Sequence, residues 1–192
     1  MNETLKLGLI LFIITAVAAS ILAVSNEVTS ERIAEADRIA NDLAKQQVLE
    51  DAKEFKVVDE ERLKEIAGSN SHIVEINEGY GNGSEIAGYT FKIKVNGYGG
   101  EIEFITGISV DGKITGINVL NHAETPGLGA NAKKSYFSNS FKNKPVGSEL
   151  TAVKDPKGDN EVQALTSATI TTNAIVDGVN TIREIYNEKL SN

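Results

Sequence analysis

Gly107-Ile108-Ser109-Val110-Asp111-Gly112-Lys113-Ile114-Thr115-Gly116-Ile117 decides the fold class. Apolar and β-branched residues flank Asp111-Gly112, and a tight primed turn needs the positive φ values that this pair supports. The stretch is therefore expected to be an antiparallel hairpin, with strands at 108–110 and 114–120. Upstream, Tyr89-Thr90-Phe91-Lys92-Ile93-Lys94-Val95 alternates apolar and polar residues, as a strand with one buried and one wet face does. Further strands are expected at 72–76, 87–95 and 100–106.

Helices are expected on both sides of this sheet. Residues 59–67 form a short one, with Asp59 as N-cap and Gly68 as its stop. Residues 130–141 form another, with Tyr136, Phe137 and Phe141 as core candidates. A polar loop follows through Pro156, Gly158 and Asn160. From Asn173 onward, Ile175, Val179, Ile182 and Tyr186 recur at helical spacing. The fold class is thus α+β, an antiparallel sheet flanked by helices, and about 140 residues suffice for one domain with an ordinary core.

The chain before this domain has a different character. Residues 7–24 are an almost unbroken apolar run, interrupted by Gly8, Thr15 and Ser20. As a helix the run is roughly 27 Å long, enough to span a bilayer. A cleaved signal peptide is the competing reading, with Lys6 as positive flank and Ala18, Ala19 and Ser20 as small residues. The anchor is preferred, because those small residues are followed by Ile21-Leu22-Ala23-Val24 rather than by a polar region. Lys6 precedes the span, whereas Glu27, Glu31 and Arg32 follow it, which favours a cytoplasmic N-terminus and an extracytoplasmic soluble part. Residues 26–54 are rich in Ala, Glu, Lys, Arg and Leu and contain neither Pro nor Gly, the composition of a helical stalk. The expected layout is a cytoplasmic N-terminus at 1–6, a transmembrane helix at 7–24, a stalk at 25–55 and one domain at 56–192.

Composition excludes several functions. With no cysteine there is no disulfide, thiolate nucleophile, c-type haem attachment or Cys-ligated iron–sulfur cluster. Two histidines, His72 and His122, make a multi-histidine metal site within one chain improbable, and no metal ligands are assigned. A formal net charge of -8 and a pI near 4.9 argue against a nucleic-acid partner, which calls for a concentrated basic face. Redox chemistry, if present, must therefore use a bound organic cofactor or another metal.

Two short stretches carry chemistry. Ala164-Leu165-Thr166-Ser167-Ala168-Thr169-Ile170-Thr171-Thr172 places a dense set of hydroxyls where a loop turns into the last helix. The backbone N–H groups of 170–172 are expected as unsatisfied first-turn donors, and such an end attracts anions. Ordinary capping of an apolar helix accounts equally well for these residues taken alone. The second stretch is His122-Ala123-Glu124-Thr125-Pro126-Gly127-Leu128-Gly129, where Pro126-Gly127 sets a tight turn and both glycines permit close approach of a flat ligand.

Thr166-Ser167-Ala168-Thr169 resembles the Ser/Thr-Gly-Ala-Thr motif of the FMN-binding domain shared by the G subunit of the Rnf electron-transport complex and the C subunit of the Na+-pumping NADH:quinone reductase. His122 to Gly129 resembles the His-x-Glu-Thr-Pro-Gly-Leu-Gly signature of the same family, and Gly97-Tyr98-Gly99-Gly100 resembles its glycine-rich segment. Ser167 stands where glycine is usual, and Gln163 where aspartate is common.

The resemblance implies FMN joined covalently to Thr169 through a phosphoester. It implies that Thr166, Ser167, Ala168, Thr171 and Thr172 surround the phosphate and ribityl chain. His122, Glu124, Thr125, Gly127, Leu128 and Gly129 are then expected near the isoalloxazine ring, with no catalytic residue in the chain itself. A separate flavin transferase using FAD would make the bond. The implied role is an electron relay within a membrane-bound, ion-translocating ferredoxin:NAD oxidoreductase of the Rnf type, with its other membrane subunits as partners. The C subunit of the quinone-reducing pump is the close alternative, and a non-redox tethered scaffold the distant one.

Overall fold

The computed structural model describes residues 2–68, 70–83 and 85–191. The chain divides into two compact units, Met1–Asn41 and Asp42–Asn192.

The first unit is most of one helix, α1 (Glu3–Val48), the one helix among the described residues that is long and apolar enough to cross a membrane. Its apolar window is fully exposed within the molecule, as a lipid-facing surface is. The polar groups inside the run are satisfied locally. Thr15 donates to Leu11 O at 3.0 Å and Ser20 to Ala16 O at 2.8 Å, so neither hydroxyl needs a partner outside the helix. No Gly lies between positions 8 and 68 and no Pro precedes 126, so nothing local breaks the helix after the apolar run.

The second unit opens with the last turns of α1, at Asp42 rather than at residue 56. Ala44, Val48, Leu49 and Ala52 are buried there, which makes residues 42–52 part of the domain's packing. The chain then forms β1 (Glu54–Val57), α2 (Glu60–Ala67), β2 (Ile73–Tyr80), β3 (Ile86–Asn96), β4 (Glu101–Ser109) and β5 (Lys113–His122). After a short helix α3 (Ser135–Ser138) come β6 (Lys144–Pro145), β7 (Thr151–Val153), β8 (Glu161–Gln163) and α4 (Thr169–Lys189). Strands β1 to β6 make one sheet in sequence order, antiparallel at every pairing, while β7 and β8 form a separate parallel pair.

Asp59 caps α2 by accepting Arg62 N–H at 2.8 Å, and Gly68 ends it with φ 59°. The hairpin differs from the two-residue primed turn. Its loop has three residues, positive φ falls on Gly112 alone, and Ser109 C=O accepts Gly112 N–H at 3.0 Å. A register shift between Gly107 and Ile108 accommodates the extra residue. The strands expected at 100–106 and 108–110 are one strand, β4, with Gly107 inside it. Four-residue β1 is too short, and too charged at Glu54 and Lys56, to stand out in the sequence.

Residues 130–141 do not form one helix. They form a 3-10 turn (Gly129–Lys133), α3 and a second 3-10 turn (Asn139–Phe141), because Asn131, Ser135, Ser138, Asn139 and Ser140 are poor interior helix residues. Phe137 and Phe141 are fully buried, edge to face at 5.3 Å, whereas Tyr136 points outward.

Register places Ile76, Phe91, Ile93, Val95, Phe104, Ile117 and Val119 in the main core, together with Ile175, Val179, Ile182 and Tyr186 of α4. Gly178 lets α4 settle, since a Cβ there would lie 2.9 Å from both Phe104 and Val95. The other sheet face takes the end of α1. Gly79 pairs with Gly88 and Gly107 with Gly116 across adjacent strands. Leu49 seats against Gly79 and Gly88, while the Val48 carbonyl, which accepts the Thr115 hydroxyl, rests on Gly107.

Candidate functional site

Three connections converge at one end of the sheet: the turn 97–100 after β3, the segment 123–128 after β5, and the loop 164–168 that enters α4. Pro126 and Gly127 occupy the central positions of a turn closed by Leu128 N–H donating to Thr125 O at 3.1 Å, with Gly127 at φ 81°. This is type II geometry, which requires a positive φ at the third position.

Helix α4 starts at Thr169, four residues before the expected Asn173. Its first turn is β-branched and hydroxylated, so hydrophobic periodicity begins only after it. The first helical bond is Thr172 N–H to Ala168 O at 3.0 Å, which shifts the free-donor window from 170–172 to the amides of Thr169, Ile170 and Thr171. Ala168, the N-cap, has no side chain that can accept from them. Thr172 instead ties the loop. Its hydroxyl donates to Ala168 O at 2.9 Å and accepts Leu165 N–H at 3.0 Å.

These connections enclose a cavity of about 380 Å³ lined by Tyr98, Glu124, Thr125, Leu128, Gly129 and residues 167–171. Glu124, 6% exposed, accepts Gly99 N–H at 2.9 Å and the Thr171 hydroxyl at 2.6 Å. Among the described residues no Lys, Arg or His side chain lines the cavity, so an anion at its mouth would be met by amide and hydroxyl donors rather than by a cation.

Of the residues singled out from sequence, Ser167, Ala168, Thr169, Thr171, Glu124, Thr125, Leu128 and Gly129 line the cavity. Thr169 and Ser167 are exposed, while Thr171 is buried with its hydroxyl turned to Glu124. Thr166, Thr172, His122 and Gly127 lie outside the lining. Gln163 is a tie, donating to Lys154 O at 3.0 Å and Ala164 O at 3.1 Å. Tyr98 and Ile170 are lining residues that sequence reading did not assign. Both are large, apolar and 72% and 56% exposed, and with Leu128 they form an apolar rim. A large apolar side chain among hydroxyls or glycines was the available signal.

His122 Nδ1 accepts Glu124 N–H at 3.2 Å, so the ring acts there in its neutral form. Burial, helped by the charge of Lys133 and opposed by Glu124, pulls its pKa below the ordinary 6.5. In acid the unfolded chain therefore binds this proton first. The contribution to stability is complete above about pH 6.5 and is lost as pH falls through the folded pKa. An NMR titration should find the His122 midpoint below 6.5, and His122→Gln should remove this part of the acid sensitivity in urea unfolding.

Ser167 holds φ 58°, a left-handed conformation that a side chain disfavours. Ser167→Gly is expected to raise unfolding stability by up to about 1 kcal/mol, the relief of strain being partly offset by the freer unfolded chain. Denaturant midpoints of the two chains check this.

Fold and site together define a class: an α+β domain that presents an uncapped, hydroxylated helix N-terminus to an apolar-rimmed cavity. Residues 97–184 match the FMN-binding domain family. The G subunit of the Na+-translocating ferredoxin:NAD+ oxidoreductase complex of Acetobacterium woodii is 42% identical over 94% of this chain and 90% of its own. The G subunit of the ion-translocating oxidoreductase complex of Methanosarcina acetivorans is 30% identical over 93% and 92%. The chain belongs to the family of these G subunits. In fold it is similar to the crystal structure of the C subunit of the Na+-translocating NADH-quinone reductase from Parabacteroides distasonis, with a TM-score of 0.60, 20% identity, and 84% and 97% of the two chains covered.

Proposed function

We propose that this chain is the flavin-bearing electron-relay subunit of a membrane-bound, ion-translocating ferredoxin:NAD oxidoreductase of the Rnf type, with FMN joined to Thr169. The observation that carries the reading is an exposed Thr169 at the uncapped start of α4, lining a cavity, in a chain of the G-subunit family. The quinone reductase's C subunit is the weaker reading, because that likeness lies in the fold at 20% identity.

The lining fits FMN in kind. First-turn amides and the Ser167 hydroxyl suit a phosphate, while Tyr98, Leu128 and Ile170 suit a flat apolar ring. Bound FMN supplies the electron chemistry. The chain's own part is to hold and orient the cofactor and to shield one side of it from water. Thr171, Thr172 and Glu124 serve from behind the surface by fixing the loop and the first turn.

Attachment balances as a transfer from FAD by a flavin transferase. An O–P bond forms from Thr169 Oγ to the flavin-side phosphorus, the pyrophosphate P–O bond breaks, AMP leaves, and the hydroxyl proton passes to a base of the transferase. The apolar run of α1 serves as a single-pass anchor. Lys6 before it, with Glu27, Glu31 and Arg32 after it, favours a cytoplasmic N-terminus and a domain outside. Other membrane subunits of the complex are the electron partners.

The full chain co-expressed with a flavin transferase should run as a fluorescent band on a denaturing gel and gain the mass of FMN less water, located on the peptide containing Thr169. An intact chain of unmodified mass overturns the proposal.

A further inference from the structure

Among the described residues Glu124 is the one acidic side chain lining the cavity, and each of its oxygens already holds a donor of the protein itself. Oε1 accepts the amide of Gly99 at 2.9 Å, and Oε2 accepts the hydroxyl of Thr171 at 2.6 Å. The partners stand 25 and 47 residues away, one on the 97–100 turn and the other in the first turn of α4. The space around this carboxylate is made by glycine. A Cβ on Gly97 would collide with Oε1, one on Gly129 with Oε2, and one on Gly99 with the carbonyl of Ala123.

Thr171 lies in the first turn of α4, two residues beyond Thr169. Its bond to Glu124 therefore ties that turn to the segment that follows β5. Ala168 contributes no side-chain cap that could do so instead. A misaligned nucleophile loses rate steeply in a transfer that depends on approach to phosphorus.

We propose that Glu124 is a positioning residue for modification at Thr169: through Thr171 and Gly99 it clamps the first turn of α4 against the 97–100 turn, so that Thr169 Oγ is presented in one orientation. Glu124 neither gives nor takes a proton in the transfer. The inference rests on Thr169 being the attachment point.

The test uses the full chain in detergent with a purified flavin transferase and FAD, measuring initial rates against acceptor concentration by in-gel fluorescence and intact mass. Thr171→Val, which keeps the shape and removes the hydroxyl, should lower kcat on the order of tenfold or more with the KM for the acceptor chain unchanged. Thr171→Ser should restore it. Glu124→Gln, which fits the same glycine cradle, should retain more rate than Glu124→Ala, and adding Thr171→Val to Glu124→Ala should cause no further loss. The Gly99 amide proton resonance should move in Glu124→Ala and stay in Thr171→Val.

Equal kcat for Thr171→Val and wild type, a loss confined to KM, or additive losses in the double variant each overturn the positioning role. Should Glu124→Ala fail to fold, the Thr171 pair and Glu124→Gln decide the matter. A wild-type chain left bare at Thr169 removes the attachment reading and this inference together. A flavinylated wild type matched by Thr171→Val removes this inference alone.

Discussion

Thr169→Ala is expected to fold as the wild-type chain does and to remain non-fluorescent on a denaturing gel after co-expression with the flavin transferase. Thr169 is exposed and is the first residue of α4, where alanine is a better helix former than threonine. Stability should therefore move by no more than about 0.5 kcal/mol. Ser167 is the one neighbouring hydroxyl that is exposed and lines the cavity, and it belongs to the loop before α4 rather than to its first turn; the neighbouring threonines offer no substitute. Thr171 is engaged with Glu124, Thr172 with Ala168 and Leu165, and Thr166 lies outside the cavity lining. Thr169→Ser keeps the oxygen and should keep the flavin. Intact mass and thermal melts of the three chains check both halves, and fluorescence persisting in Thr169→Ala would relocate the attachment.

Gly107→Val should be strongly damaging, at about 3 kcal/mol, the upper end of what overpacking usually costs. A Cβ at Gly107 would collide with the carbonyl of Val48 and with Thr115 Oγ1, and the first is backbone that cannot rotate away. The bond from Thr115 to Val48 would also break, leaving a carbonyl at the helix end without its donor. For a domain of this size the melting temperature should drop on the order of 10 °C. Gly116→Ala is the control. Its Cβ would meet nothing nearer than Lys142 at 3.7 Å, so the melt should barely change. Below its melting point Gly107→Val should still accept flavin, since the damage lies on the sheet face that carries α1 rather than α4. A wild-type melt for Gly107→Val would mean that residues 48–52 do not seat on the sheet as described.

The apolar helix over 7–24, the strand over 89–95 and the presence of a hairpin at Asp-Gly were legible because each is a local pattern, although the turn's loop length was not. That parts of 122–129 and 166–169 come together at one cavity was anticipated for a related reason. A hydroxyl-rich helix start and a Pro-Gly turn both need particular residue types at fixed spacing, wherever the rest of the chain goes. The start of α4 was read late, because helical periodicity is a signal of burial and its first turn is built from threonines. Residues 130–141 were read as one helix because Phe137 and Phe141 stand four apart, a spacing that two 3-10 turns around a short helix satisfy as well.

From the sequence alone followed the α+β class, the long apolar N-terminal helix, the exclusion of cysteine chemistry and the two stretches that meet at the cavity, since these depend on residue type and near-neighbour spacing. Tertiary structure alone decided which hydroxyls face the cavity and which are spent inside the wall, that Glu124 is held by Gly99 and Thr171, and that residues 42–52 belong to the domain. Those outcomes depend on which distant segments fold into contact. A side chain with several possible partners is assigned only when packing brings one of them within bonding distance.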